Sequence, residues 1–273
     1  MADTAEKSIF ITGGAGGMGL ATGQFFAEKG WFVGLFDIDE ARLQQATGQF
    51  DSGRSMIRRL DVTSEDDFAS AMAAFSDQTG AHMDVMFNNA GIAPGAWFDE
   101  MPMETIRQVI DINVLGVIIG IRAALPLLKE TTGSLCISTS SSVATYGHAM
   151  RAVYSASKSA VKGMTEALSL EFERFGIRTA DVLPGCIDTP MLRNALAARS
   201  GKAFDESLFE GMPKEGAYRL IPVSAIAEAV WNAYRSDVIH WYVPEEVGDI
   251  DRLKGTDFNA AREQTRAFLF GNR

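Results

Sequence analysis

The chain has 273 residues, 47% apolar and 22% charged, with 26 glycines and 8 prolines, which excludes a disordered or collagen-like protein. Thirty-five acidic against 25 basic residues give a net charge of −10, and no basic block offsets it, so no nucleic-acid partner is expected. The two cysteines, Cys136 and Cys186, form neither a disulfide framework nor a CxxC pair, which points to a reducing, cytoplasmic setting.

The opening stretch, MADTAEKS, is polar and lacks the apolar region of a secretory signal. Short β-branched or aromatic runs then alternate with amphipathic, alanine-rich stretches, the pattern of repeated βα units on a parallel sheet. In chain order the expected strands are Ser8–Thr12, Phe32–Asp37, Ser55–Leu60, Met83–Asn88, Ser134–Thr139, Ile177–Val182 and Val238–Val243. Between them, helical periodicity spans Met18–Lys29, Asp39–Gln49, Glu65–Gln78, Met103–Lys129, Ala152–Phe175 and Val223–Arg235. The most apolar stretch, Asn113–Ile121, is far shorter than the roughly 20 residues that span a bilayer, so no membrane partner is expected.

No linker divides the series. The expectation is one α/β domain of Rossmann type over residues 1–243, a doubly wound seven-stranded parallel sheet with helices on both faces. Residues 190–222 break the rhythm: without an expected strand, and with scattered Met, Leu and Phe, they read as a substrate lid. Residues 244–273 contain one short amphipathic run, Ala260–Phe270, and read as a tail packed on the same domain.

Directly after the first strand, Thr12–Gly19 reads TGGAGGMG and leads into a helix. Glycine suits a tight turn that touches a pyrophosphate, and the helix N-terminus attracts phosphate charge. Two registers fit: Gly14, Gly16 and Gly19 as GxGxxG, or Gly13, Gly17 and Gly19 as TGxxxGxG. Asp37 ends the second strand, where a carboxylate accepts hydrogen bonds from both adenosine ribose hydroxyls and repels a 2′-phosphate. NAD is therefore the expected cofactor; Arg42 is the nearest cation, and the alternative role for Asp37 is a helix N-cap.

Tyr154 and Lys158 stand four apart in YSASK and share a helix face. A phenol beside an ammonium can take the proton of an alcohol as hydride leaves it. His82, His148 and His240 are too dispersed for a metal site, and none is expected.

Together these motifs resemble the short-chain dehydrogenase/reductase family. TGGAGGMG, including Met18, is similar to its cofactor turn. Asp61-Val62 resembles the pair that contacts adenine, and NNAG, with Asn89, Ala90 and Gly91, resembles its fourth-strand signature. The resemblance implies that Asn113 is the active-site asparagine, holding a water if it kinks its helix. It also implies that Ser141, 13 positions before Tyr154, is the catalytic serine, with Ser138, Ser140 and Ser142 as neighbouring candidates. Lys158 would lower the tyrosine pKa and hold the nicotinamide ribose, while Pro184, Gly185, Ile187 and Thr189 would close over the nicotinamide. Tyr146, His148, Met150 and Met191, with Trp97, Leu192 and Leu196, fall in segments that resemble substrate-facing loops.

The implied activity is NAD-dependent hydride transfer between a hydrophobic secondary alcohol or ketone and the nicotinamide, with Tyr154 as general acid/base. Alternatives are an isomerase, epimerase or dehydratase with tightly held NAD, or a catalytically silent dinucleotide-binding sensor. The resemblance further implies a homodimer through the two long helices or a homotetramer. A tetramer edge is in doubt, because VIHWYVPEE replaces the family's glycine-rich final turn.

Overall fold

The computed structural model describes residues 6–271 apart from Ser52 and Lys202; the first five residues of MADTAEKS, and the side chains of Ala198 and Arg199, lie outside the described set. The strands are β1 (Ser8–Thr12), β2 (Phe32–Asp37), β3 (Ser55–Arg59), β4 (Val85–Asn88), β5 (Leu135–Thr139), β6 (Arg178–Pro184), β7 (Cys186–Ile187), β8 (Leu220–Ile221) and β9 (His240–Val243). Seven of them form one parallel sheet in the order β3-β2-β1-β4-β5-β6-β9, with β7 and β8 paired separately. Strand order reverses between β1 and β4, which opens a crevice at their carboxyl ends.

Period-two alternation divides the core. Ile9 and Ile11 point to one face with Phe26, Val33, Leu35 and Val230, while Phe10 points to the other with Phe36, Phe68, Phe75 and Met86. Phe10 stacks on Phe36 at a centroid separation of 3.8 Å and meets Phe75 edge-on at 5.3 Å. Truncating Phe10 to Ala there costs about 3–5 kcal/mol. The first face is covered by α1 (Gly17–Glu28) and α8 (Ser224–Tyr234), the second by α3 (Glu65–Thr79), α5 (Gly116–Lys129) and α6 (Ala152–Glu171).

Local chemistry sets the helix ends. Asp39 caps α2 (Glu40–Thr47), and Ser64 Oγ accepts the Asp67 amide at 3.1 Å to start α3, whose first turn carries Glu65, Asp66 and Asp67. The long helix expected over Met103–Lys129 is α4 (Met103–Ile110) and α5 joined by a π-helical turn, Asp111–Leu115. By length and composition this whole run could cross a membrane, unlike the shorter Asn113–Ile121 stretch weighed from sequence. One side of it, with Val109, Val117, Ile121, Ala124 and Leu128, is buried within the protein.

Two expectations need correction. Residues 190–222 do contain a strand, β8, held against β7, and they begin with α7 (Pro190–Ser200). Nor are their apolar residues merely scattered: Phe204 and Phe209 meet edge-on at 5.1 Å, beneath an Arg193 guanidinium that Asp188 holds with two hydrogen bonds, at 2.7 and 3.0 Å. Residues 244–273 hold two helices, α9 (Val247–Thr256) and α10 (Phe258–Phe270), where sequence periodicity indicated one. Gly248 and Gly255 obscure α9, because glycine lowers helix propensity.

Candidate active site and cofactor groove

The chain leaves β1 at Thr12 and turns through glycines into α1. Gly13 and Gly17 hold left-handed backbone, φ +65° and +51°, and a Cβ on Gly19 would lie 2.2 Å from the Gly13 carbonyl oxygen. Gly16 faces open space, so the demanding register is Gly13, Gly17 and Gly19. No side chain caps α1 and no acid lies in its first turn, which leaves its amides and positive dipole end for an anion. The neighbouring NNAG turn is fastened to this one. Thr12 Oγ1 accepts the amides of Asn89 and Ala90 at 3.0 and 3.1 Å, and Asn89 Nδ2 donates to the carbonyls of Thr12 and Gly13.

At the end of β2, Asp37 accepts the Ala15 amide and the Asp39 amide, each at 3.1 Å. The cap of α2 is Asp39, which accepts the Arg42 amide and pairs with the Arg42 side chain at 3.3 Å. Asp37 is therefore not the helix cap, and the nearest cation considered from sequence is already engaged by another acid. Asp61 Oδ1 accepts the Thr63 amide and hydroxyl at 2.9 and 2.7 Å, which shapes the turn that presents Val62 to Gly116. These residues fit a dinucleotide: a turn too tight for a Cβ at Gly13 or Gly19, an uncapped helix start and an acid at the second strand's end.

Tyr154 and Lys158 lie in the first turns of α6. Lys158 is 3% exposed, donates to the Thr139 carbonyl at 2.7 Å and stands 5.8 Å from the Tyr154 ring centroid. Burial pushes its ammonium down to about 8. Burial also raises the Tyr154 phenol, while the neighbouring Ser141 hydroxyl and Arg151 charge pull it back down. Two cations therefore flank the phenol ring, the Lys158 ammonium at 5.8 Å and the Arg151 guanidinium carbon at 5.9 Å from its centroid, where the sequence pointed to Lys158 alone. Ser140 donates instead to the Lys158 carbonyl at 2.9 Å, while Ser141 lines the cavity with Tyr154.

Asn113 sits in the π-helical turn and is fully buried. Its Oδ1 accepts the Ile92 amide at 2.9 Å, and its Nδ2 donates to the Ile92 carbonyl and to Ser157 Oγ at 2.8 and 3.1 Å. The side chain therefore clamps the backbone after Gly91, with both amide hydrogens engaged rather than offered to a water. Gly91 is packed between Asn113 Oδ1 and Lys158 Nζ, 3.1 and 3.5 Å from where its Cβ would stand.

A cavity of about 740 Å³ opens beside Tyr154, lined by Ser141, Met18, Pro184, Gly185, Ile187, Thr189 and the apolar side of α7. Thr189 caps α7 and lies against Gly17, so the segment 190–222 starts at the cofactor turn. His148, Met191, Leu192 and Leu196 line the cavity. Tyr146 packs instead against Phe258 at 5.3 Å, Met150 turns outward, 43% exposed, and Trp97 is 46% exposed; none of these three is in the wall.

A family model described as short chain dehydrogenase matches residues 7–200. The chain belongs to this family. Among members of the short-chain dehydrogenase family, it is 34% identical to the 2,5-dichloro-2,5-cyclohexadiene-1,4-diol dehydrogenase LinX of Sphingobium indicum over 193 residues, 70% of this chain and 76% of the relative. It is also 34% identical to the cis-4-hydroxycyclohexanecarboxylate dehydrogenase of Sinomonas cyclohexanicum over 190 residues, 69% and 76% of the two chains. Among solved structures, levodione reductase superposes with a TM-score of 0.80 at 25% identity, covering 87% of this chain and 95% of its own.

Two parts of this short-chain dehydrogenase's site escape sequence reading. Arg151 lines the cavity from the position just before α6, three residues ahead of Tyr154, and that nearness is the only signal the sequence offers. The other is α10, whose Ala267, Phe268 and Leu269 close the cavity from the far end of the chain. Phe268 stacks on Tyr218 at 3.7 Å and lies 6.1 Å from His148, a ring cluster whose burial pushes the histidine down to about 4.

Proposed function

We propose that the protein is an NAD-dependent oxidoreductase that transfers hydride between the nicotinamide and a hydrophobic, ring-bearing secondary alcohol or its ketone. The two relatives' substrates share a ring and a hydroxyl and differ in charge; the shared part is what we carry over. The observation that carries the reading is the Tyr154 phenol, which shares with Ser141 the wall of a mainly apolar cavity beside the cofactor turn. NAD, when bound, accepts hydride from the alcohol carbon or returns it. The first amides of α1 would hold its pyrophosphate, Asp37 its adenosine ribose and Lys158 its nicotinamide ribose.

Tyr154 takes the hydroxyl proton as hydride departs and returns it in reduction, while Ser141 donates to the substrate oxygen as negative charge develops there. Residues of α7 and α10 exclude water from the reacting carbon. Asp37, with the candidate cation Arg42 paired to Asp39, favours NAD over NADP. The test is NADH absorbance followed over a panel of cyclic secondary alcohols. Turnover with NAD supports the reading; tightly held NAD without net NADH over the whole panel contradicts it and favours an isomerase, epimerase or dehydratase.

A further inference from the structure

The cavity is apolar on most sides, yet one fixed charge stands in it. Among the described residues, Arg151 is the only Arg or Lys in its wall and no Asp or Glu lines it, and burial holds His148 neutral at pH 7. Among the described residues Arg151 pairs with no carboxylate. Its hydrogen bond from Nη1 to the Ala93 carbonyl, 2.8 Å long, uses one of five guanidinium donors. The guanidinium carbon stands 5.9 Å from the Tyr154 ring centroid, which sets it beside the reacting position.

This placement is built. Met150, immediately before it, adopts φ +61°, a left-handed conformation that a methionine rarely takes, and the Ala96 amide fixes the Met150 carbonyl at 3.0 Å. The segment 93–96 and the start of α6 thereby clamp the arginine over the cavity. Such strain next to an unpaired cation calls for a ligand. An uncharged substrate filling the cavity would strip water from the guanidinium and replace none of its hydrogen bonds, which is costly in an apolar site. A carboxylate would restore them as a bidentate, charge-assisted pair. The acidic surface does not oppose this, since charges beyond the Debye length of about 8 Å are largely screened.

We propose that Arg151 anchors a carboxylate of the substrate, so that the preferred substrate is a hydroxy acid whose apolar ring carries a carboxylate together with the hydroxyl presented to Tyr154. This rests on the dehydrogenase reading above and adds to it the charge of the substrate. Leu192, Leu196, Leu208, Met212 and Phe268 would cover the ring.

The test compares kcat/KM for 3- and 4-hydroxycyclohexanecarboxylates with that for the matching uncharged carboxamides, in the wild type, Arg151→Gln and Arg151→Lys. The wild type should favour acid over amide at least tenfold, mainly through KM. Arg151→Gln should bring that ratio close to one, and Arg151→Lys should keep part of it. As a readout independent of turnover, cyclohexanecarboxylate should raise the Tm of the NADH-bound wild type and not that of Arg151→Gln. Equal use of acid and amide by the wild type, or a ratio unchanged in Arg151→Gln, overturns the anchor. NADH formed from amides and cyclohexanol with no preference for acids removes the anchor and leaves the dehydrogenase reading standing. If no alcohol is oxidised, that reading fails, and the Tm comparison alone decides whether Arg151 holds a carboxylate. Should Arg151→Gln fail to fold, the wild-type ratio and the lysine variant decide.

Discussion

Lys158 donates its ammonium proton to the Thr139 carbonyl at 2.7 Å, which ties the helix that carries Tyr154 to the last residue of β5. The bond holds the amine at the carboxyl end of the sheet, 5.8 Å from the centroid of the Tyr154 ring. It also keeps a cation in a place that water barely reaches.

That burial has a pH signature. With its folded pKa lowered to about 8 from 10.5, Lys158 carries fewer protons in the folded than in the unfolded chain between those values. Its contribution to stability therefore rises with pH across the window from about 8 to 10.5. Compared with Lys158→Met, the cofactor-free wild type should gain up to roughly 3 kcal/mol over that window, read by urea denaturation at several pH values. A stability difference that is flat, or that falls with pH, contradicts the assignment. The same variant should lose both turnover and NADH affinity.

Cofactor choice is expected to follow Asp37. The wild type should prefer NAD over NADP at least tenfold in kcat/KM, about 1.4 kcal/mol. Asp37→Asn removes the charge and can still accept the Ala15 amide, so it should narrow the preference without dismantling the turn. Equal efficiencies in the wild type, or unchanged selectivity in the variant, would defeat the assignment.

The segment 190–222 is expected to open and close over the substrate. It is fixed at its start, where Thr189 meets Gly17, and at its end, where β8 pairs with β7, while exposed Lys214 lies between. Brief trypsin treatment should cut after Lys214 in the free protein and less after NAD and substrate are added, whereas Arg193, held by Asp188 and Glu206, should be cut slowly. Arg199 in its side chain, and Lys202 altogether, lie outside the described residues; both are further sites by sequence. Resistance in the free protein, or cutting indifferent to ligand, rules the lid out.

The sheet strands are legible in the sequence because most are buried on both faces and so read as short apolar runs between turns. Tyr154, Lys158 and Ser141 are legible because α6 and the end of β5 bring a local pattern together. Asn113 can be located from sequence, but its engagement cannot, since that depends on Ile92 passing beside a π-helical turn. Arg151 belongs to no motif, and the role proposed for it follows from a cavity wall, formed by distant segments, that holds no acid among the described residues. The closure by α10 joins Phe268 to Tyr218 and His148, contacts between residues far apart in the chain that no local periodicity encodes.

Tyr154→Phe tests the proton carrier most directly, because the ring remains and only the hydroxyl is lost. Turnover of a cyclic secondary alcohol should fall by 10²-fold or more while NADH affinity, followed by fluorescence titration, stays close to that of the wild type. A variant that keeps more than about a tenth of the wild-type rate would show that another group carries the proton.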